Sequence, residues 1–463
     1  MSAGNETREH WSGPVGFVLA AVGSAVGLGN VWKFPYITGI NGGGAFVLVY
    51  LGCIAVVGLP LLIAEMSIGR RSQKEPVGAF SSLAHAGRGG KLWGIFGWLA
   101  VVTAFLLLSF YSVVGGWTIG YFIKAVSGTF TPEAAASSGE IFDTFVSDPV
   151  QSTIYHAIFM AACIGVVLGG VSRGIERAAR VLMPVFAVLL LVLLGYSLTL
   201  DGAGEALRFM FYPDFSKLTP AAVLEALGHS FFTLSLGMGV MIVYGSYLSK
   251  QDSVFKSGLA VSIADTLIAL AAGVTIFGIV FSAGKEPGSG AGLVFITLPS
   301  LFAQLPAGSL WAAIFFLLLG FAALTSGMSI LEVAVAYFVD ERGKSRKVAT
   351  LTFGGIIFAL GLLSVLSFSV LSDVHLMTVG QGDELKDLTV FDTLDYLISN
   401  WALTLGGLGV ALYAGWGVSR DDLWDELKDD ALGKAGFAGW FLITRFVAPV
   451  AVILVLLHSV GVV

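Results

Sequence analysis

The chain has 463 residues, 56% of them hydrophobic and only 12% charged, with a mean hydropathy of +0.87. A water-soluble chain of this size carries roughly a quarter charged residues, so these proportions exclude an ordinary solvated surface. The net charge of −6 is spread through connecting segments and points to no charged partner and to no nucleic acid.

Long apolar runs follow one another along the chain, each near the ~20 residues a helix needs to cross a bilayer; the short alternating segments of a β-barrel are absent. The first eleven residues are polar, and the first apolar run lacks a small-residue cleavage site, so no cleavable signal is expected. Span one covers about 13–38 and contains Gly23-Ser24-Ala25-Val26-Gly27-Leu28-Gly29-Asn30, then Lys33 and Pro35. Span two (about 44–69) carries Glu65, and span three (about 93–124) carries Tyr111. Spans four and five fall at about 152–171 and 180–199, with the spacing Gly174-x9-Pro184 at the start of span five. Span six (about 221–249) holds His229 and a second glycine-rich stretch, Thr233-Leu234-Ser235-Leu236-Gly237-Met238-Gly239. Span seven (about 255–283) holds Asp265; span eight (about 307–339) holds Thr325, Ser326 and Glu332. Spans nine, ten and eleven cover about 348–370, 392–417 and 437–461. Cys53 and Cys163 both lie within apolar runs, so a disulfide framework is not expected.

Lys and Arg crowd one set of connections: Arg70, Arg71 and Lys74 after span two, Arg173 to Arg180 before span five, and Arg342 to Lys347 before span nine. The other set is sparse, with Lys124, Arg208, Lys217, Lys285 and Lys386. The positive-inside rule puts the N-terminus in the cytoplasm, and an odd number of spans puts the C-terminus outside. The expected location is the cytoplasmic (inner) membrane of a prokaryote.

Glycine costs about 1 kcal/mol in a helix interior relative to alanine, and two glycine-rich interruptions fall near mid-span, five helices apart. Close packing of small residues is one reading of each. Interrupted helices at corresponding positions of two halves are also the sequence mark of a solute site at the midplane of an inverted repeat. An unwound turn frees carbonyls that suit a hard cation and amides that suit a carboxylate, so an ion and a zwitterion fit together. The expected architecture is all-α: one transmembrane domain with an inverted 5+5 repeat, repeat one about 13–199 and repeat two about 221–417, plus an additional helix at about 437–461. Glu65 reads as a charge partner of Arg70 and Arg71, and His229 as a hydrogen-bonded core histidine. Thr325 and Ser326 could bond back to their own helix. Glu332 is either structural or lines the cytoplasmic exit. Asp265 has no basic residue within a turn and reads as a group on an ion or proton path.

With these elements in place, the chain resembles a neurotransmitter:sodium symporter of the bacterial amino-acid branch. The resemblance rests on Arg8-Glu9-His10-Trp11, on Gly23 to Pro35, on Asn41-Gly42-Gly43-Gly44-Ala45-Phe46, on Gly174-Ile175-Glu176-Arg177, on Phe231 to Gly237, and on Ala322-Ala323-Leu324-Thr325-Ser326. It implies transport by alternating access with two sodium ions. The first would bind Ala25, Asn30, Thr233 and Asp265 together with the substrate carboxylate. The second would bind Gly23, Val26, Ala322, Thr325 and Ser326. Substrate contacts would come from Ala25, Leu28, Gly29, Leu107, Tyr111, Phe232, Thr233, Ser235, Met238, Ser326 and Ile330. Lys33 with Asp395 would form an outer gate, and Arg8 with Asp340 an inner one, supported by Trp11 and Tyr247.

Departures from the family pattern sharpen this expectation. Gly27 stands where monoamine carriers place an aspartate, so the solute should bring its own carboxylate. Lys33 replaces an arginine and lacks its bidentate fork. Tyr50 remains of the chloride-binding set of animal members, but His229, Asp265 and Ala269 replace its glutamine, asparagine and serine. Chloride independence follows, with Asp265 supplying the negative charge. The Gly174–Pro184 pair reads either as a segment that unwinds or as an ordinary helix start with a proline kink. The apolar pocket suggests a hydrophobic amino acid of medium to large size. A sodium-independent exchanger and a non-transporting receptor are the alternatives; no enzyme motif is visible, and the chain is expected as a monomer or weak dimer.

Overall fold

The computed structural model describes residues 9–84, 90–286, 291–380 and 385–459. Among these residues nine helices are long and apolar enough to cross a membrane: Gly44–Ser72, Gly94–Val126, Pro149–Leu168, Val171–Ser197, Val254–Ser282, Gly308–Asp340, Arg346–Leu366, Val390–Gly417 and Gly433–Ser459. A tenth crossing is the bent pair Pro14–Ala25 and Gly29–Ile40, whose axes differ by 49°. The remaining crossing is in two short pieces, Pro220–Thr233 and Val240–Ser246, each too short to span alone. This gives the eleven expected crossings, with the breaks in the first and the sixth.

Local chemistry explains both breaks. Pro14 sits in the first turn of span one, where its missing N–H costs nothing. The helix ends at Ala25 because Val26 is extended (φ −76°, ψ 96°). It restarts as a π turn over Gly29–Lys33 and runs through Pro35. In span six the helix stops at Thr233, and Ser235, Gly237 and Gly239 all have positive φ (55°, 82° and 77°). At Gly237 the requirement is double: the left-handed backbone favours glycine, and a Cβ there would run into the Leu403 carbonyl of span ten. The second half of span six, Val240–Ser246, packs on span two at the same close range, with Gly69 lying against the Ile242 carbonyl.

Spans three and eight pack along their length and, with spans one, two and six, enclose the centre of the molecule. Spans four, five, nine and eleven lie outside and expose Leu191, Val188, Leu351 and Val450 as a lipid-facing surface. Span five differs from the expected start near residue 180. Its helix begins at Val171 with a π turn over Val171–Glu176 and carries Pro184 inside a continuous helix. Gly174 therefore lies within the helical segment, and no unwound stretch separates it from Pro184. A two-stranded antiparallel hairpin, Met377 opposite Leu388, decorates the connection between spans nine and ten.

Candidate ion and solute site

The two breaks meet at Asp265. Asn30 Nδ2 donates to Asp265 Oδ1 at 2.7 Å and to its backbone carbonyl at 3.2 Å, while Asn30 Oδ1 accepts the Gly27 N–H at 3.2 Å. Thr233 Oγ1 lies 3.1 and 3.0 Å from the two carboxylate oxygens of Asp265. All three side chains are fully buried. The carboxylate is thus met by an amide and a hydroxyl, neither of them charged. A buried carboxylate surrounded by neutral dipoles and freed backbone is short of positive charge, which one monovalent cation would balance. Among the described residues no cluster of three His, Cys, Asp or Glu could hold a metal ion. The donors are mostly neutral oxygens, the chemistry of a hard alkali cation.

Span eight faces the same break from the other side. Ser326 Oγ donates to the Ser24 carbonyl at 3.0 Å and to that of Gly23 at 3.4 Å. Thr325 Oγ1 bonds back to Phe321 and Ala322 at 3.1 and 3.0 Å. Ser326 therefore ties span eight to span one, whereas Thr325 takes the back-bonded alternative. Gly23 brings the elements together: a Cβ there would lie 3.1 Å from Thr325 Cβ and 3.2 Å from Met183 Sδ of span five. Ser235 Oγ donates to the Ser24 carbonyl at 2.9 Å, joining the two unwound segments directly.

Above these contacts opens a cavity of about 210 Å³, lined by the predicted residues Leu28, Leu107, Tyr111, Phe232, Lys33 and Asp395. Trp32, Tyr36, Phe110, Val114, Phe391 and Ser399 complete its wall. Of these only Trp32 lies inside a quoted motif, Gly23 to Pro35; no motif marked the others, because most are apolar or aromatic residues on transmembrane helices that look alike in sequence. Of the predicted substrate contacts, Ala25, Gly29, Thr233, Ser235, Met238, Ser326 and Ile330 do not line the cavity. Tyr111 reaches down to them: a Cβ on Gly27 would lie 3.3 Å from the Tyr111 hydroxyl and 2.7 Å from Ser326 Oγ. That hydroxyl is buried without a hydrogen-bond partner among the described residues. Gly29 faces the Phe232 ring, where a Cβ would come within 3.0 Å. Lys33 lies over that ring, 4.6 Å from its centroid, and Asp395 accepts a bond from Ser399 at 2.8 Å. Lys33 and Asp395 share the cavity without forming an ion pair in this conformation.

Two readings are corrected here. Glu65 does not pair with Arg70 and Arg71. Its Oε1 accepts the Gly237 N–H at 2.7 Å, satisfying an amide that the break in span six leaves free. Arg70 turns instead to Glu426 and Arg71 to Asp422, acids of the segment that follows span ten. His229 is buried, but neither ring nitrogen has a hydrogen-bond partner among the described residues. It packs between Phe34, Tyr50 and Phe232 and borders a second cavity of about 390 Å³ beside Glu225 and Asn400.

At the opposite end the path is closed. Trp11 Nε1 donates to the Tyr244 carbonyl at 3.0 Å, and the Trp11 N–H to that of Tyr247 at 3.3 Å. Tyr247 donates its hydroxyl to Glu332 at 2.7 Å, and Arg346 grips the same carboxylate at 2.7 and 3.0 Å. Arg346 also lies 3.8 Å from Glu9, and Glu176 accepts from Ser12 and Arg180. Glu332 therefore belongs to the seal on this side. Arg8, half of the expected inner gate, lies outside the described residues; Asp340 ends span eight. Sequence reading missed Glu9, Glu176 and Arg346 as members of this seal. The first two stand inside the quoted motifs; Arg346 carries no motif signal.

Comparison with known proteins places this arrangement. A crystal structure of MhsT in complex with L-phenylalanine is 45% identical in sequence and superposes with a TM-score of 0.86, covering 98% of this chain and all of that one. An uncharacterized sodium-dependent transporter of Bacillus subtilis, YhdH, is 40% identical over 98% of both chains. An uncharacterized sodium-dependent transporter of Haemophilus influenzae is 33% identical over 99% of this chain and its own full length. The sequence model of the Sodium:neurotransmitter symporter family matches residues 8–144 and 140–463. The chain belongs to the sodium:neurotransmitter symporter family.

Proposed function

We propose that the protein imports a hydrophobic amino acid of medium to large size, driven by sodium and without need of chloride. The observation that carries this reading is the buried Asp265–Asn30–Thr233 cluster at the meeting of the two helix breaks, a fixed negative charge with only neutral partners. A sodium ion at that cluster would take oxygens from Ala25, Asn30, Thr233 and Asp265. A second would take Gly23, Val26, Ala322, Thr325 and Ser326. The Tyr111 hydroxyl, buried and without a hydrogen-bond partner among the described residues, is a donor suited to a carboxylate. Leu107, Phe110 and Val114 give the cavity an apolar wall, and the relative MhsT was solved with L-phenylalanine. Gly27 leaves no counter-charge for an amine alone. Phe232 and the Lys33–Asp395 pair would close the cavity from outside, while the Trp11–Tyr247–Glu332–Arg346 seal holds the inner side. Alternating the two closures moves solute and ion together. The N-terminus would then be cytoplasmic and the membrane the inner one.

The test is uptake of radiolabelled L-phenylalanine and L-leucine into proteoliposomes under an inward sodium gradient, with chloride or gluconate as the anion. Accumulation with sodium, equal in both anions, is the expected result. Uptake that needs chloride overturns the role given to Asp265. Equal uptake with sodium or potassium replaces symport by exchange, and no uptake by folded protein favours a receptor.

A further inference from the structure

We propose that Arg420 and Arg445, with Trp416, form a headgroup site for an anionic phospholipid on the lipid-facing rim where span ten ends beside span eleven. Arg445 lies in span eleven where the helix widens into a π turn over Ile443–Val447. It is level with the end of span ten: a Cβ on Gly415 would come 2.8 Å from Arg445 Cα, and span ten ends at Gly417. Its guanidinium lies over the Trp416 ring, 4.0 Å from the centroid, and 5.7 and 5.5 Å from the rings of Phe441 and Phe446. Trp416 Nε1 donates to the Arg445 carbonyl at 3.3 Å, which holds the ring in place. Arg420 opens the helix Arg420–Leu427 that follows span ten, and its guanidinium stands 5.6 Å from the Phe441 ring. Two guanidiniums thus flank one aromatic side chain.

Neither cation has a carboxylate partner among the described residues. Their neighbours at the same end behave differently: Arg70, Arg71, Lys250 and Lys428 each pair with an acid of the segment 422–430. Arg445 Nε is moreover buried with no hydrogen-bond acceptor among the described residues, a donor whose desolvation is uncompensated until an oxygen meets it. The chemistry wanted is a phosphate, which a guanidinium fork binds through paired N–H groups. The setting chooses the source. Leu442, Phe446 and Val450 beside the pair are exposed at 56%, 51% and 58%, a surface for acyl chains, and Trp416 is placed as an interfacial anchor. Arginines near the surface of an anionic leaflet are drawn to its headgroups by the negative surface potential.

The experiment uses the full-length protein in phosphatidylcholine vesicles containing either brominated phosphatidylglycerol or brominated phosphatidylcholine, with tryptophan fluorescence as the readout. The chain has ten tryptophans, so a Trp416→Phe protein isolates the Trp416 signal by subtraction. The Trp416 signal is expected to be quenched several-fold more effectively by the anionic lipid, and the Arg420→Gln, Arg445→Gln double variant to quench equally with both. Should the double variant fail to fold, Arg420→Gln alone, on the exposed connecting helix, is expected to lose a clear part of the preference. Equal quenching in the parent protein, or a preference unchanged in the variants, overturns the proposal. A preference erased by excess inorganic phosphate reassigns the site to a free anion and overturns it too.

Discussion

Asp265 is a fully buried carboxylate whose two oxygens are met, among the described residues, by the uncharged side chains of Asn30 and Thr233. If it ligates sodium, Asp265→Asn removes a charge-assisted contact of about 1.5–3 kcal/mol, which is roughly ten- to hundredfold in sodium affinity. The sodium dependence of uptake is expected to shift to higher concentration by that factor, while the thermal midpoint in detergent changes little. A variant with unaltered sodium affinity would remove Asp265 from the ion site. Glu65 works on the backbone instead. Replacing it by Ala strands the Gly237 N–H in a dry interior at about 1–3 kcal/mol. Glu65→Gln keeps the accepting oxygen and is expected to retain most of that stability, a contrast that thermal denaturation of the two variants reads directly.

Elements here are shaped by what their ends can satisfy. The break in span six needs a left-handed backbone at Gly237 and a close approach to span ten, so Gly237→Ala adds strain of about 1–2 kcal/mol before any clash with the Leu403 carbonyl. It is expected to lower the thermal midpoint more than Gly239→Ala, whose Cβ would meet only side-chain atoms of Pro76 and Ala100. The short helix Pro76–Ser82 after span two is capped by Glu75, which accepts the Val77 N–H at 2.8 Å and also that of Gly78. Burial of the Glu75 carboxyl, opposed by those two bonds, pushes its pKa up to about 7 from 4.5. A carboxyl raised on folding binds its proton more tightly in the folded state. Its contribution therefore favours folding at low pH, declines as pH rises from about 4.5 to about 7, and is constant above that. Glu75→Gln is expected to remove this part of the pH dependence of the thermal midpoint; an unchanged profile would refute the assignment.

On the scale of the whole molecule the two ends are unequal: one opens into the cavity beside Lys33 and Asp395, the other is shut by a chain of contacts from Trp11 to Arg346. Arg346 and the fully buried Glu332 form the ionic part of that seal. Breaking a buried pair from one side costs about 3–5 kcal/mol because the other charge is left uncompensated. Arg346→Ala is expected to raise hydrogen exchange across residues 9–25 and to slow uptake, the inner side no longer staying shut while the outer side loads. Exchange unchanged in that segment would show that the apolar packing of Trp11 on Tyr244 and Tyr247 is enough to hold it.

Composition, the spacing of apolar runs and two glycine-rich stretches were enough to determine a membrane protein of eleven crossings, broken in the first and the sixth. They were enough because hydrocarbon tolerates few backbone solutions, and glycine at mid-span marks where the helix gives way. The ordered motifs also carried the family. Tertiary structure alone decided which polar groups meet. Glu65 lies in sequence beside two arginines, yet its partner is an amide 172 positions away, while the arginines pair with Glu426 and Asp422 of the segment after span ten. Ser326 crosses to span one whereas Thr325, its neighbour, lies against Gly23 yet bonds back to its own helix. Arg346 joins Glu332 from the next span over, and Arg445 lies over Trp416 across a helix pair. Each of these is a contact between distant segments, fixed by how helices pack, which the order of residues along one helix does not encode.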